Sequence, residues 1–229
     1  MKPLRDWDDL PDFMRTDVVR PYYDNLKMHE KELYLKRAFD AIAASILLVL
    51  LAPVMLVVSV WIKLDSPGPV FFRQTRITQY GKEFRIFKFR TMVKNADIIG
   101  SSVTVGNDSR ITKVGTIIRK YRIDEFPQLL NVLLGDMSFV GTRPEVPKYV
   151  SDYSDEMYAT LLLPAGITSK TSIEFKDEDG ILETADDVDT VYVNNILPEK
   201  MYWNLKGISE FNAISELLIM IQTAFAVIK

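Results

Sequence analysis

The chain has 229 residues, with 28 Lys and Arg against 31 Asp and Glu, one histidine and no cysteine. That length holds one large domain with appendages. The missing thiols exclude a disulfide scaffold, a Cys-based zinc site and a Cys nucleophile, and a lone His29 in a polar stretch argues against a Ser-His-Asp mechanism.

The net charge of −3 hides an asymmetry. Residues 63–125 carry 13 basic and 6 acidic residues, a net of +7, whereas residues 126–229 carry 7 and 16, a net of −9. A basic segment beside an apolar one suggests anionic partners: lipid headgroups, a nucleotide or a diphosphate. Nucleic acid is the competing partner, but no helix-turn-helix, zinc or RNA-binding signature supports it.

Residues 1–30 are polar, with Pro3, Pro11 and Pro21, and read as a peripheral arm without a cleavable signal peptide. Residues 31–65 form the next unit. An amphipathic lead-in (Leu33, Leu35, Ala38 and Phe39 among Lys31, Lys36 and Arg37) runs into Ala41–Ile62, 22 residues without a charge. A straight helix of that length reaches ~33 Å, enough to cross a bilayer core of ~30 Å. Pro53 sits in its middle, removes a hydrogen bond and is expected to bend it. Both flanks are basic, so a hairpin that dips in and returns keeps both on the cytoplasmic side, with Trp61 at the interface. The alternative is a kinked single span.

Residues 66–229 read as a catalytic domain. Ser66–Pro69 is a turn. VFFRQTRI and EFRIFKFRTM, separated by Tyr80-Gly81-Lys82, have a half-buried strand or hairpin pattern whose basic members, Lys88 among them, are candidates to face an anionic ligand or surface. Residues 94–113 are irregular and Val114–Tyr121 is helical in pattern. Met137–Val140 reads as a strand, Val150–Leu162 as a helix and Pro164–Thr168 as a turn. Glu174–Asp189 holds eight acids and one base. Ile214–Ile228 is a long apolar to amphipathic helix suited to the membrane interface.

The most informative stretch is Arg119–Pro144, RKYRIDEFPQLLNVLLGDMSFVGTRP. Phe126, Leu129, Leu130 and Leu133 recur at helical spacing, and Gly135 is a stop. Pro127 fits a first turn, which puts Asp124 near the N-cap and Glu125 one step inside, where the helix N-terminus is expected to lower both carboxyl pKa values. Pro144 biases Arg143 toward an extended backbone, aiming a guanidinium fork suited to phosphate. An ionised carboxylate among arginines can attack a phosphate or hold a metal. It can equally be a helix cap.

KRAFD before the apolar run, Pro53 within it, FKFRTM, RIDEFPQLLNVLLGDMSFVGTRPE and PAGIT together resemble the bacterial sugar transferases, the monotopic polyprenyl-phosphate phosphoglycosyl transferases, over about Leu33 to Lys229. The resemblance implies an α+β protein: a re-entrant membrane helix hairpin joined to a small cytoplasmic α/β catalytic domain with interfacial amphipathic helices. It implies transfer of a phospho-sugar from a UDP-sugar to polyprenyl phosphate, with magnesium, at the cytoplasmic face of the bacterial inner membrane. By position Asp124 matches the nucleophile and Glu125 the magnesium-binding partner. Arg119 and Arg143 match phosphate-contacting arginines, and Pro53 matches the kink proline. Three departures stand out: Ala52 where the family often has Ser, Thr142 where many members have Pro, and SKTSIEFKDE after Gly166-Ile167-Thr168. Two other readings remain at this level. One is a metal-dependent glycosyltransferase using Asp177/Asp179 or Asp187/Asp189; the other is a non-enzymatic membrane-anchored adaptor.

Overall fold

The computed structural model describes residues 2–94, 96, 108–174 and 187–228. Its first 28 residues are two single 3-10 turns followed by helix α1 (Arg20–Met28), whose Pro21 occupies the first turn, where no N–H is needed. This stretch is not peripheral. Leu4, Leu10, Met14, Val19, Tyr23 and Leu26 are buried in one cluster with Leu161, Leu162, Leu163, Ile208 and Phe211. The Gln79 amide donates to Pro3 O at 2.8 Å and Leu162 O at 2.9 Å, and Arg5 N donates to the Tyr80 hydroxyl at 2.8 Å. The polar composition concealed six apolar anchors spread among acids, and full burial of an aliphatic or aromatic side chain is worth about 1.5–3 kcal/mol each.

Helix α2 (Glu30–Asp65) joins the lead-in and the apolar run in one element of 36 residues, roughly 54 Å long at 1.5 Å per residue. The expected hairpin is drawn as a single helix that continues through Pro53, with no intervening turn. Only 11% of its most apolar 18-residue window is buried. Ile42, Ile46, Val49, Leu50, Val54, Leu56, Val57, Val60 and Leu64 are exposed.

The other face of α2 packs on the rest of the chain from end to end. Near its start Arg37 donates to Val132 O (2.7 Å) and Leu133 O (2.8 Å), and Asp40, 3% exposed, accepts from Ser138 Oγ (2.7 Å) and Phe139 N (3.3 Å). Lys36 donates to Val140 O at 2.9 Å and pairs with Glu216. Further along, Ala44 lies in a cluster with Phe84, Ile86, Leu129, Val132 and Met137, and Val58 and Ile62 lie in another with Phe89, Val114 and Ile118. At its end Asp65 accepts from Val114 N at 3.2 Å, and Arg90 donates to Ser66 O (2.7 Å) and Pro67 O (3.1 Å). The body formed by residues 66–228 therefore shares its cores with α2.

Strands β1 (Phe71–Ile77) and β2 (Glu83–Phe89) form the anticipated antiparallel hairpin, with Phe71 opposite Phe89 and Ile77 opposite Glu83. Helix α3 (Lys113–Lys120) is capped by Thr112, whose side chain accepts from Gly115 N. Helix α4 (Gln128–Leu134) stops at Gly135, φ +88°. Strand β3 (Met137–Val140) pairs in parallel with β4 (Ala165–Thr168), joined through helix α5 (Pro147–Val150) and a 3-10 segment, Met157–Leu162. Two expectations change here. Pro164–Thr168 is mostly strand, because its partner lies 28 positions earlier in the chain. The helix expected over Val150–Leu162 is two short pieces divided by polar residues around Ser151–Asp155. Gly141 and Gly166 let β3 and β4 approach closely: a Cβ on Gly166 would lie 2.2 Å from Gly141 N. Helices α6 (Lys170–Glu174), α7 (Val188–Val191), α8 (Leu197–Ser209) and α9 (Ala213–Ile228) follow, with a π-helical turn, Tyr192–Ile196, before α8. Most of the acidic 174–189 segment, Asp177 and Asp179 included, lies outside the described residues.

Candidate active site

Strand β2 and helix α4 are locked together by Asn131, which is 1% exposed. Its Oδ1 accepts from Phe87 N at 2.8 Å and its Nδ2 donates to Arg85 O at 3.1 Å, so the amide pairs with the strand as a neighbouring strand would. This register places Lys88 over Glu125, and Lys88 Nζ donates to Glu125 Oε1 at 3.0 Å. Arg143 Nη2 donates to the same oxygen at 2.9 Å.

The turn that carries Arg143 is pinned on every side. Gly141 N donates to Thr168 O and Gly166 N to Thr142 O, each at 2.9 Å. Pro144 O accepts from Arg76 Nη1 at 3.1 Å, and Glu145 O accepts from Ile77 N at 3.0 Å. The Glu145 side chain is buried and accepts from the Tyr192 hydroxyl at 2.6 Å; Lys200 Nζ lies 3.4 Å from it and donates to Tyr192 at 2.8 Å. A buried ion pair adds little net stability but holds a geometry, and here the geometry it holds is next to Arg143.

Asp124 and Glu125 are not inside the α-helix. They occupy a 3-10 turn, Ile123–Glu125, and α4 begins only at Gln128 with Pro127 at its N-cap. The expected helix-dipole effect on both carboxyls gives way to burial and local charge. Burial raises the Asp124 carboxyl above its ordinary value, with the Lys88 charge as the main opposing influence and Arg119 and Arg122 as lesser ones. Burial also pushes Glu125 upward, but Arg143 and Lys88, through charge and hydrogen bonds, outweigh it and hold that carboxyl well below the usual range. Among the described residues no hydrogen bond to the Asp124 side chain is found, although it is only 9% exposed. Burial lowers the Lys88 ammonium below its ordinary value.

The structure thus brings together Lys88, Glu125 and Arg143, with Asp124 and the half-buried Arg119 of α3 adjoining them. Pro53 lies apart, on the exposed part of α2. Arg90 of the FKFRTM run does not face a ligand; it clamps the end of α2. Sequence reasoning missed Asn131, Arg122 and the Glu145–Tyr192–Lys200 cluster. Lys200 gave no clear signal, since its helical run LPEKMYWNLKGIS also carries Glu199 and Lys206. The competing acidic pair is occupied elsewhere: Asp187 caps α7, accepting from Asp189 N and Thr190 N, and Asp189 accepts from Lys148 Nζ (2.6 Å) and Tyr149 OH (2.5 Å).

The donor set suits magnesium. Hard carboxylate oxygens are available from Asp124 and Glu125, whose Oε1 accepts from both Lys88 and Arg143. Among the described residues no group of three or more metal-ligating side chains occurs.

A family model for bacterial sugar transferases matches residues 31–229. The chain is 45% identical over 57% of its length to a UDP-N-acetylgalactosamine-undecaprenyl-phosphate N-acetylgalactosaminephosphotransferase of Aeromonas hydrophila, covering 32% of that protein. It is 52% identical over 49% of its length to the exopolysaccharide production protein PSS of Rhizobium leguminosarum, covering 56% of it. It is also 34% identical over 90% of its length to a UDP-glucose:undecaprenyl-phosphate glucose-1-phosphate transferase of Escherichia coli K12, covering 43% of it. The chain therefore spans roughly a third to a little over half the length of these relatives. The match over most of the chain, together with the site just described, makes this protein a member of the bacterial sugar transferase family.

Proposed function

We propose that this protein transfers a phospho-sugar from a UDP-sugar to polyprenyl phosphate at the cytoplasmic face of the bacterial inner membrane, releasing UMP. The observation that carries this reading is the unlike state of two adjacent carboxylates. Glu125 is held ionised by Lys88 and Arg143, while Asp124 is buried beside it with no side-chain hydrogen bond among the described residues. The names of the relatives supply the substrate classes.

In this mechanism an Asp124 carboxylate oxygen attacks the sugar-bearing phosphorus. The bond from that phosphorus to the bridging oxygen breaks, and its electron pair leaves with UMP. Polyprenyl phosphate then attacks the acyl phosphate and returns Asp124 as carboxylate. Arg119 and Arg143 neutralise charge on the phosphates, for which their fork is suited. Lys88 keeps Glu125 ionised and adds positive charge against the same phosphates. Asp124 and Glu125 would hold magnesium, which supplies Lewis-acid neutralisation of phosphate oxygens when bound.

The membrane setting is a re-entrant one. Lys36, Arg37 and Asp40 tie the start of α2 to the body, and Asp65 and the Arg90 clamp tie its end to that same body. A helix crossing the bilayer would need its two ends on opposite sides, so these ties favour entry and return on one side. The exposed apolar residues of α2, with Ile214, Leu217, Leu218, Ile221 and Phe225 of α9, supply the lipid-facing surface.

The deciding experiment supplies a panel of UDP-sugars and magnesium without lipid acceptor. The expected result is at most one equivalent of UMP per protein and a mass gain of one sugar phosphate on Asp124. Release of UDP, or no UMP until polyprenyl phosphate is added, overturns the two-step path. Cysteine tags at the two ends of this Cys-free chain, probed with an impermeant thiol reagent in oriented vesicles, test the topology. Labelling from opposite sides overturns it.

A further inference from the structure

We propose that Arg122 binds the nucleotide-side phosphate of the donor and steadies the departing monophosphate. This proposal rests on the diphosphate reading of the site given above.

Arg122 has a left-handed backbone, φ 56° and ψ 18°. Glycine adopts that conformation freely and asparagine more easily than most residues, whereas a long side chain with a Cβ is strained there. The turn itself requires the conformation. The chain leaves α3 with Arg122 N bonded to Arg119 O at 3.0 Å and enters the dyad turn with Glu125 N bonded to Arg122 O at 3.2 Å. Those are backbone bonds, which Gly or Asn would make equally well. An arginine kept where a cheaper residue fits points to work done by its side chain.

The surroundings indicate what that work is. The four cations about the dyad divide into two pairs. Lys88 and Arg143 are engaged by Glu125. Arg119 and Arg122 precede Asp124 by five and two positions, and backbone bonds from Arg122 N to Arg119 O and from Glu125 N to Arg122 O fold that stretch into the dyad turn. Arg122 is exposed, and among the described residues its guanidinium makes no hydrogen bond or ion pair. It is therefore a solvent-facing cation two positions before Asp124 in the chain. In the mechanism above UMP is the product released to water, whereas the sugar phosphate stays on Asp124 and passes to the lipid acceptor, so a solvent-facing cation beside Asp124 suits the nucleotide-side phosphate. When the phosphorus–bridging oxygen bond breaks, the electron pair adds negative charge to the departing phosphate, and a guanidinium fork there can take two of its oxygens.

The test uses the full chain in lipid nanodiscs, with Arg122→Asn, Arg122→Gly and Arg122→Lys. Calorimetric titration with UMP and magnesium reads the site without turnover, and thermal unfolding reads the fold. The Asn and Gly variants are expected to unfold at the same or a higher temperature while binding UMP roughly ten-fold more weakly or worse, and Lys is expected to fall between. Release of UMP in the single-turnover burst should slow in the same order. Asn and Gly variants that bind UMP as tightly as the native protein overturn the proposal and leave Arg122 as a turn residue only. If the native protein itself binds neither UMP nor UDP, the diphosphate reading fails, and the assignment of Arg122 falls with it.

Discussion

Asp124 and Glu125 are neighbours in sequence and opposites in setting. Glu125 has two cations on one oxygen and is held ionised, whereas Asp124 is buried with charges nearby but no bonded partner. Two identical functional groups pushed apart by their surroundings can divide a reaction between them. In the mechanism proposed above, Glu125 is the carboxylate that organises the site and Asp124 the one that reacts. The contrast also bears on stability, because burial opposes the charged form of Asp124 and no hydrogen bond among the described residues offsets it.

The sharpest way to break this contrast is Asp124→Asn. Turnover and the covalent adduct should both vanish, a loss on the order of 10⁴-fold or more, as for other nucleophiles. The fold should not suffer. An acid raised above its ordinary value binds more protons folded than unfolded, so its contribution to stability falls as pH rises through the folded value. Asn removes that penalty, so the variant should unfold at a higher temperature than the native protein at neutral pH, with the difference closing in acid. Loss of stability at neutral pH would mean Asp124 has a structural partner.

Glu125→Gln should have the opposite signature. Activity should drop about 10²–10³-fold. Stability at neutral pH should fall by about 1–3 kcal/mol, since Lys88 and Arg143 lose a charged acceptor but keep a neutral one. Glu125 is depressed in the folded state, so its stabilisation is present above the ordinary carboxylate range and is lost as pH falls through the depressed value. The gap between native and variant melting temperatures should therefore narrow toward strong acid.

Arg143→Ala should cost about 2–4 kcal/mol in transition-state stabilisation, with Lys restoring part of it for lack of the planar fork. Near-normal single-turnover rates for the alanine variant would place the phosphates elsewhere. The smallest effect expected is from Tyr192→Phe, which removes the hydroxyl that donates to Glu145 and accepts from Lys200, and leaves Lys200 3.4 Å from the Glu145 carboxylate to pair with it directly. About 1 kcal/mol of stability should be lost. If the cluster steadies Arg143, the rate penalty of Arg143→Ala should shrink when measured in the Tyr192→Phe background.

What could be read from sequence was what local physics decides. The stop at Gly135, the strand Met137–Val140 and the β1–β2 hairpin follow from left-handed glycine, alternation and turn residues within a few positions. What could not be read depended on distant partners. Lys88 meets Glu125 across 37 positions, and Asp40 meets Ser138 across 98. Asp124 was expected to be lowered by a helix terminus, but Pro127 delays α4 until Gln128 and burial decides the sign. The first 28 residues looked polar because their six buried apolar side chains have no period, and only Leu161–Leu163, Ile208 and Phe211 reveal their purpose.

Helix α2 also bears on biogenesis. Ala44 in one cluster, and Val58 and Ile62 in another, are the buried α2 members, and the remaining buried members come from residues 84–165. During synthesis α2 emerges first, while those partners are still unmade. The nascent chain must therefore lodge this apolar rod in lipid and hold it there, one face uncovered, until the later strands and helices arrive to close against it. On the membrane setting proposed above, the bilayer serves in that interval as a template on which the later strands and helices close against α2.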